Sequence, residues 1–179
     1  YERVLAAEEN IINSSRSTDF ITPKSKTSMA FRNAVLELSE GYEFARPLVN
    51  SGRLSTPTTY DNSSLNSSDE MEAPDRSRVG APCPDLPLNN EYLLNKTGNQ
   101  FCVLAFNCKI SENFDDLTIP LKIIEIEECD ENKEFIYDRF LDLNKKAVYL
   151  LRPDQHIAAR WSHFSEEKLL KAIKKATGS

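Results

Sequence analysis

The sequence predicts an α/β fold in which two helices and a polar linker lead into a unit of order β-α-β-α-β-β-α. Three observations carry this expectation. Ala147-Val148-Tyr149-Leu150-Leu151 is apolar or aromatic without alternation, the pattern of a strand covered on both faces. Pro153 and Asp154 suit the two corners of a β-turn, so Ile157 to Trp161 reads as the returning strand of a hairpin. Ser165 then stands where a helix would be capped, with Glu166 and Glu167 in the first turn. Leu169, Leu170 and Ile173 share one face of that helix, Lys171, Lys174 and Lys175 lie towards its C-terminal end, and Gly178 follows.

The remaining elements follow in chain order. Val4 to about Ser15 reads as a helix with Val4, Leu5, Ile11 and Ile12 on its packing side, broken by Thr22-Pro23. A second helix runs from about Ser28 to Glu40. Phe31, Val35 and Leu38 fall on one stripe of it, and Gly41 is placed to end it. Two such helices cannot bury both stripes alone, and nothing in residues 1–60 is large enough to cover them. Residues 55–78 are rich in Ser, Thr, Asn, Asp and Pro without period, which reads as a linker, in part disordered, with Tyr60 and Leu65 as its large apolar residues. Gly80 to Leu88 is extended because of its prolines. Glu91 to Asn95 reads as a short strand. Phe101 to Phe106 and Leu121 to Ile126 read as buried strands, with a helix of one or two turns between them at Glu112 to Leu117. Lys133 to about Leu141 reads as a short helix. This order is that of a thioredoxin-like domain.

Composition excludes several function classes. No apolar run approaches a membrane span. A formal net charge of −6 argues against a nucleic-acid surface, which needs clustered positive charge. The basic run from Lys168 to Lys175 is the solvated face and last turn of one helix. Cys83, Cys102, Cys108 and Cys129 form no Cys-x-x-Cys and fit no zinc spacing, so free thiols in a reducing cytoplasm are expected. The chain starts at Tyr1 in mid-pattern and reads as a fragment.

The segment Tyr-Leu-Leu-Arg-Pro-Asp-Gln-His-Ile-Ala-Ala-Arg-Trp, Tyr149 to Trp161, resembles the C-terminal end of FAD-dependent aromatic hydroxylases, the phenol-hydroxylase-like monooxygenases. In that family it closes a small thioredoxin-like domain appended to the flavoprotein. Glu8-Glu9-Asn10-Ile11, Ser17 to Pro23 and Leu48 to Ser55 are similar to the tail of the family's flavoprotein domain. Ser64 stands where the family has proline. The resemblance divides the chain into a helical tail (residues 1–54), a linker (55–78) and a thioredoxin-like domain (79–179). It implies a parent enzyme that uses FAD and NAD(P)H to hydroxylate phenolic rings, with hydroxylases of phenols and phenylpropionate-like acids the most similar. The missing partner surface would then be the N-terminal flavoprotein domain. Neither a Gly-x-Gly-x-x-Gly nor the family's Gly-Asp pair before a His occurs in this chain, so the expectation is a piece without catalytic or cofactor-binding residues.

Several residue groups could carry chemistry. Cys108-Lys109-Ile110-Ser111 follows a strand and could run monothiol redox chemistry if a helix N-terminus lowered the thiol pKa. The segment has no second cysteine, and no proline stands just before Ala147, so Cys108 reads first as a packed residue. His156 and His163 have no nucleophile or metal co-ligand at a useful spacing. Asp115-Asp116 and the run Glu125 to Glu131 lack the central glycine of a calcium loop. Arg152, Asp154, Arg160 and Trp161 read as turn-stabilising and domain-contact residues. Phe31, Val35 and Leu38 are the expected contact of a homodimer. A helix-mediated interaction module is the remaining alternative.

Overall fold

A computed structural model describes residues 1–49, 52–69, 71–88, 90–114, 117–141 and 143–178. The chain forms two compact units, Tyr1–Thr58 and Thr59–Ser179.

The first unit is helical. Helix α1 (Glu2–Ile21) ends where Thr22-Pro23 stops it, and α2 (Lys26–Gly41) begins at Ser25, whose Oγ accepts the Ser28 N–H at 3.0 Å. A 3-10 turn (Glu43–Ala45), the short α3 (Arg46–Val49) and a second 3-10 turn (Arg53–Ser55) follow. Helix α1 runs past the expected end near Ser15, because no Gly or Pro interrupts it before Pro23. It buries no residue fully: Val4, Ile11 and Ile12 are exposed, and of the expected packing side only Leu5 is partly covered. On α2, Val35 is buried while Phe31 and Leu38 are 61% and 41% exposed. Val35 is therefore a core residue of this unit, and the exposed stripe consists of its two neighbours. Arg53 is ion-paired with Glu9. A hydrogen bond from Thr58 is the main reason that the Glu9 carboxyl sits below its ordinary value; burial opposes it and Arg53 adds to it.

The second unit is mixed α/β. Strands β1 (Pro87–Leu88) and β2 (Glu91–Tyr92) form a two-stranded ladder. The strand expected over Glu91 to Asn95 stops after Tyr92 and turns into α4 (Leu93–Lys96), because the Leu93 N–H returns to the Leu86 carbonyl and Asp85 Oδ1 accepts the Leu94 N–H at 3.1 Å. The main sheet holds β3 (Phe101–Phe106), β4 (Leu121–Ile126), β5 (Ala147–Leu151) and β6 (Ile157–Trp161) in the order β4-β3-β5-β6. β3 and β4 are parallel; β5 runs antiparallel to β3, and β6 to β5. Helix α5 (Lys133–Ile136) continues into a π-type turn, Tyr137–Leu141, and α6 (Glu166–Ala176) ends the unit.

The helix expected between β3 and β4 does not form among the described residues; Asp115 and Asp116 lie outside them. Ile110, Phe114, Leu117 and Ile119 instead pack against the sheet. Their side chains cover this face of the sheet, and Leu117 N–H donates to the Phe114 carbonyl at 3.1 Å. The order is therefore β-β-α-β-β-α from Phe101 onwards.

Alternation along the central strands builds two cores. Leu104, Phe106, Tyr149 and Leu151 face Ile136, Phe140 and Leu141, while Val103, Leu150 and Ala159 face Leu169 and Ile173 of α6. Both faces of β3 and β5 are covered, which is why these strands read as unbroken apolar runs. On α6, Ala172 rather than Leu170 completes the buried face; Leu170 is 37% exposed. Ser165 caps the helix and Gly178 follows it with φ +74°, as its sequence signals require.

Residues 59–79, polar and without period, are bound into this unit. The Ser67 N–H donates to the Ala158 carbonyl, Gly80 N–H to Ile157, Ile157 N–H to Ala81 and Cys83 N–H to Gln155, at 2.8–2.9 Å. This strap covers the outer edge of β6, which would otherwise present free backbone groups. Gly80 is required where it stands: at φ +90°, a Cβ would lie 2.5 Å from the Tyr60 carbonyl oxygen. Among the described residues no helix is long and apolar enough to cross a membrane.

Candidate functional site at the hairpin turn

The segment Arg152 to His156 closes the β5–β6 hairpin. Gln155 N–H donates to the Arg152 carbonyl and Arg152 N–H to the His156 carbonyl, both at 2.9 Å. Pro153 and Asp154 occupy the corners, and Gln155 takes the left-handed conformation at φ +66° that a three-residue hairpin loop needs. Its side-chain amide anchors the loop outside the sheet, donating to Leu94 O and Thr97 Oγ1 at 2.9 Å each.

The charged side chains of the turn are satisfied by one another. Arg152, 8% exposed, reaches Asp154 with two nitrogens: Nε to Oδ1 at 3.2 Å and Nη2 to Oδ2 at 2.5 Å. His156 N–H donates to Asp154 Oδ1 at 3.2 Å, and His156 Nδ1 lies 3.4 Å from the same oxygen. Burial alone would raise the Asp154 carboxyl, but hydrogen bonds from His156 and Arg152 outweigh it and hold this group well below the usual carboxylate range. Tyr60 of the strap stacks on His156 with ring centroids 4.8 Å apart, and the Arg152 guanidinium lies 5.9 Å from the same ring.

Arg160 and Trp161 lie further along β6. Arg160, 6% exposed, donates from Nε to Asp69 Oδ1 at 2.8 Å and from Nη1 to the Pro74 carbonyl at 3.0 Å. Its cross-strand neighbour is Tyr149, whose hydroxyl donates to the Phe140 carbonyl at 2.5 Å and lies 3.2 Å from Ser77 Oγ. Burial pushes the Tyr149 phenol up to about 12, against the opposing pull of Ser77 and Arg160. Trp161 is buried in the α6-side core. The sequence reading groups Arg152 and Asp154 with Arg160 and Trp161; the structure places Arg152 and Asp154 with His156 at the turn and Arg160 further along β6. The sequence reading identifies as partners none of the side chains met here: Asp69 for Arg160, Tyr60 for His156 and Ser77 for Tyr149. Asp69 lies 91 residues from Arg160 in a stretch without period, so no local signal marks it.

The other candidates lie elsewhere. Cys108 is half-buried at the end of β3, its Sγ 3.9 Å from the Ala147 carbonyl. Burial raises its pKa; Glu125 adds to this and Lys146 opposes it. No helix begins there to lower it. His163 is exposed beside Ser162. The run Glu125 to Glu131 is exposed except for Ile126, and among the described residues no group of side chains could hold a metal ion. Phe31 and Leu38, with the buried Val35, belong to the first unit. Within the turn, the Asp154 carboxylate is engaged by the Arg152 guanidinium and by His156, with its side chain about half exposed.

No protein-family model matches the chain, and no curated protein matches it. Solved structures do. The fold is similar to that of the rebeccamycin biosynthetic enzyme RebC with reduced flavin, at a TM-score of 0.60 and 23% identity, covering 99% of this chain and 34% of that one. It is similar to aklavinone-11 hydroxylase in its ternary complex with FAD and aklavinone, at a TM-score of 0.52 and 15% identity, covering 83% of this chain and 34% of that one. The chain thus spans about a third of the length of the structures it matches. Its fold is that of one portion of flavin-dependent enzymes, in agreement with the resemblance carried by Tyr149 to Trp161.

Proposed function

We propose that this chain is the C-terminal portion of an FAD-dependent monooxygenase that hydroxylates aromatic, phenolic substrates with NAD(P)H and O2. The observation that carries the reading is the fold match of nearly the whole chain to a third of a flavin enzyme, where an independent sequence segment had pointed to the same class. Residues 1–54 are the tail of the flavin-binding domain, with the linker starting at residue 55. The exposed Val4, Ile11, Ile12, Phe31 and Leu38 support this, because an unmatched apolar surface of this size calls for a covering partner. That partner is the N-terminal flavoprotein domain; in its absence the same face drives a homodimer.

The unit from about residue 79 is a thioredoxin-like domain. The order β4-β3-β5-β6, with one parallel pair, a terminal hairpin and a final helix, supports this. Its work is stability and domain contact. Cys108 stands where a redox thiol would be expected, yet burial raises its pKa, which opposes thiolate chemistry. FAD and NAD(P)H belong to the upstream part, nucleic acid and membrane are not partners, and the compartment is the cytoplasm. The test is the coding sequence that precedes the Tyr1 codon. A strand followed by Gly-x-Gly-x-x-Gly is expected in frame; a start codon with no dinucleotide-binding turn upstream would overturn the reading.

A further inference from the structure

Helix α6 and the strap enclose a groove that neither the hairpin turn nor the proposed reading uses. Ser67, Ser68 and Trp161 form one wall, and Lys168, Lys171 and Lys175 the other, around about 270 Å³. The three lysines lie at i, i+3 and i+7, one stripe of the helix. Like charges on one stripe make this face of the helix locally positive. The acidic residues of α6, Glu166 and Glu167, are confined to its first turn, and Lys171 and Lys175 make no ion pair with any described residue.

The opposite wall is fixed. Ser67 N–H is bonded to the Ala158 carbonyl at 2.8 Å, and Asp69, immediately after the two serines, is held by the buried Arg160. Asp69 therefore has its charge matched on the sheet side. Among the described residues, what lies across from the lysines is a pair of serines, which can donate hydroxyl hydrogens, and the indole of a residue otherwise in the core. Ammonium point charges with hydroxyl donors suit an oxyanion of high charge, and a flat apolar wall beside them suits a ring.

We propose that this groove binds a phosphate group, supplied either as inorganic phosphate or as the monoester of a small ring-bearing molecule. Trp161 is the only tryptophan of the chain, so its fluorescence reads the groove directly. The intact 179-residue chain is titrated with inorganic phosphate and, separately, with phenyl phosphate, at ionic strength held constant with sodium chloride. A saturable change in Trp161 emission is expected with at least one ligand. Equal half-saturation for both identifies free phosphate as the source, and tighter phenyl phosphate identifies an ester. The exposed double variant K171Q/K175Q should weaken binding by about tenfold or more, while K171R/K175R, which keeps the charges, should retain it. K174Q, on the same helix outside the groove, should bind as the unmodified chain does. A response that is linear in ligand, equal to that of chloride alone, or unchanged in K171Q/K175Q would overturn the proposal.

Discussion

Leu150→Ala tests where the core of the second unit lies. Leu150 is fully buried in β5, the strand between β3 and β6, directly opposite Val103 on one side and Ala159 on the other. Its side chain enters the cluster of Leu169 and Ile173 under α6. Removing it loses the transfer free energy of the buried atoms and leaves a cavity. Ala158 and Ala159 are too small to refill that cavity, and β5 cannot shift because both its edges are hydrogen bonded. The cost therefore belongs in the upper part of the range for such substitutions, about 3–5 kcal/mol. With a urea slope of about 2 kcal/mol per molar, the midpoint falls by about 1.5–2.5 M. The assay is urea unfolding followed by far-UV circular dichroism. Cys108→Ser, at a half-buried thiol with only a long contact to Ala147, serves as the comparison and should cost about 1 kcal/mol or less. Equal midpoint losses for the two variants, or a loss below about 1 kcal/mol for Leu150→Ala, would show that the core has been misassigned.

Three further outcomes follow from named contacts. Because the Asp154 carboxyl is depressed in the folded state, its stabilisation is complete above its unfolded pKa of about 3.9 and is lost as pH falls below it. The melting-temperature gap between the unmodified chain and Asp154→Asn should thus stay constant from neutral pH to about 5 and close below about 4; a gap that widens in acid would contradict this. Phe31→Glu/Leu38→Glu should turn a self-associating chain into a monomer on sizing, whereas Val35→Glu should unfold α2, since Val35 is buried; an unmodified chain that is monomeric at high concentration refutes the dimer. Limited proteolysis should cut first near Thr56-Pro57-Thr58 and leave a core starting near Thr59, because Ser67, Gly80 and Ala81 are bonded to β6 and Tyr60 to Gly80. A first product starting near Gly80 would mean that the strap is loose.

What could be read from sequence was what is local. The strands Phe101–Phe106, Leu121–Ile126, Ala147–Leu151 and Ile157–Trp161 were legible to the residue, because apolar residues predominate in each and polar residues or a proline flank it. Ser165 and Gly178 marked the last helix for the same reason. Residues 59–79 were not legible. Their composition is that of a linker, and only the sheet edge lying across from them supplies the partners that order them. The segment after β3 failed in the opposite sense: Ile110, Phe114 and Leu117 have a helix-compatible spacing, but among the described residues they cover the sheet without forming a helix. At the turn, Asp154 was recognisable as a corner residue from its place after Pro153, while its pairing with Arg152 and that of Arg160 with Asp69 emerge only in the folded chain.

The claim that this chain completes a flavoprotein is tested most directly by flavin content. The protein translated from the whole reading frame and the 179-residue chain alone are purified side by side, and their visible absorbance is recorded after gel filtration. The longer protein should carry stoichiometric FAD and be yellow, and this chain, which has no Gly-x-Gly-x-x-Gly to hold a pyrophosphate, should be colourless. A colourless longer protein that takes up no added FAD, or stoichiometric flavin retained by the 179 residues alone, would contradict the account.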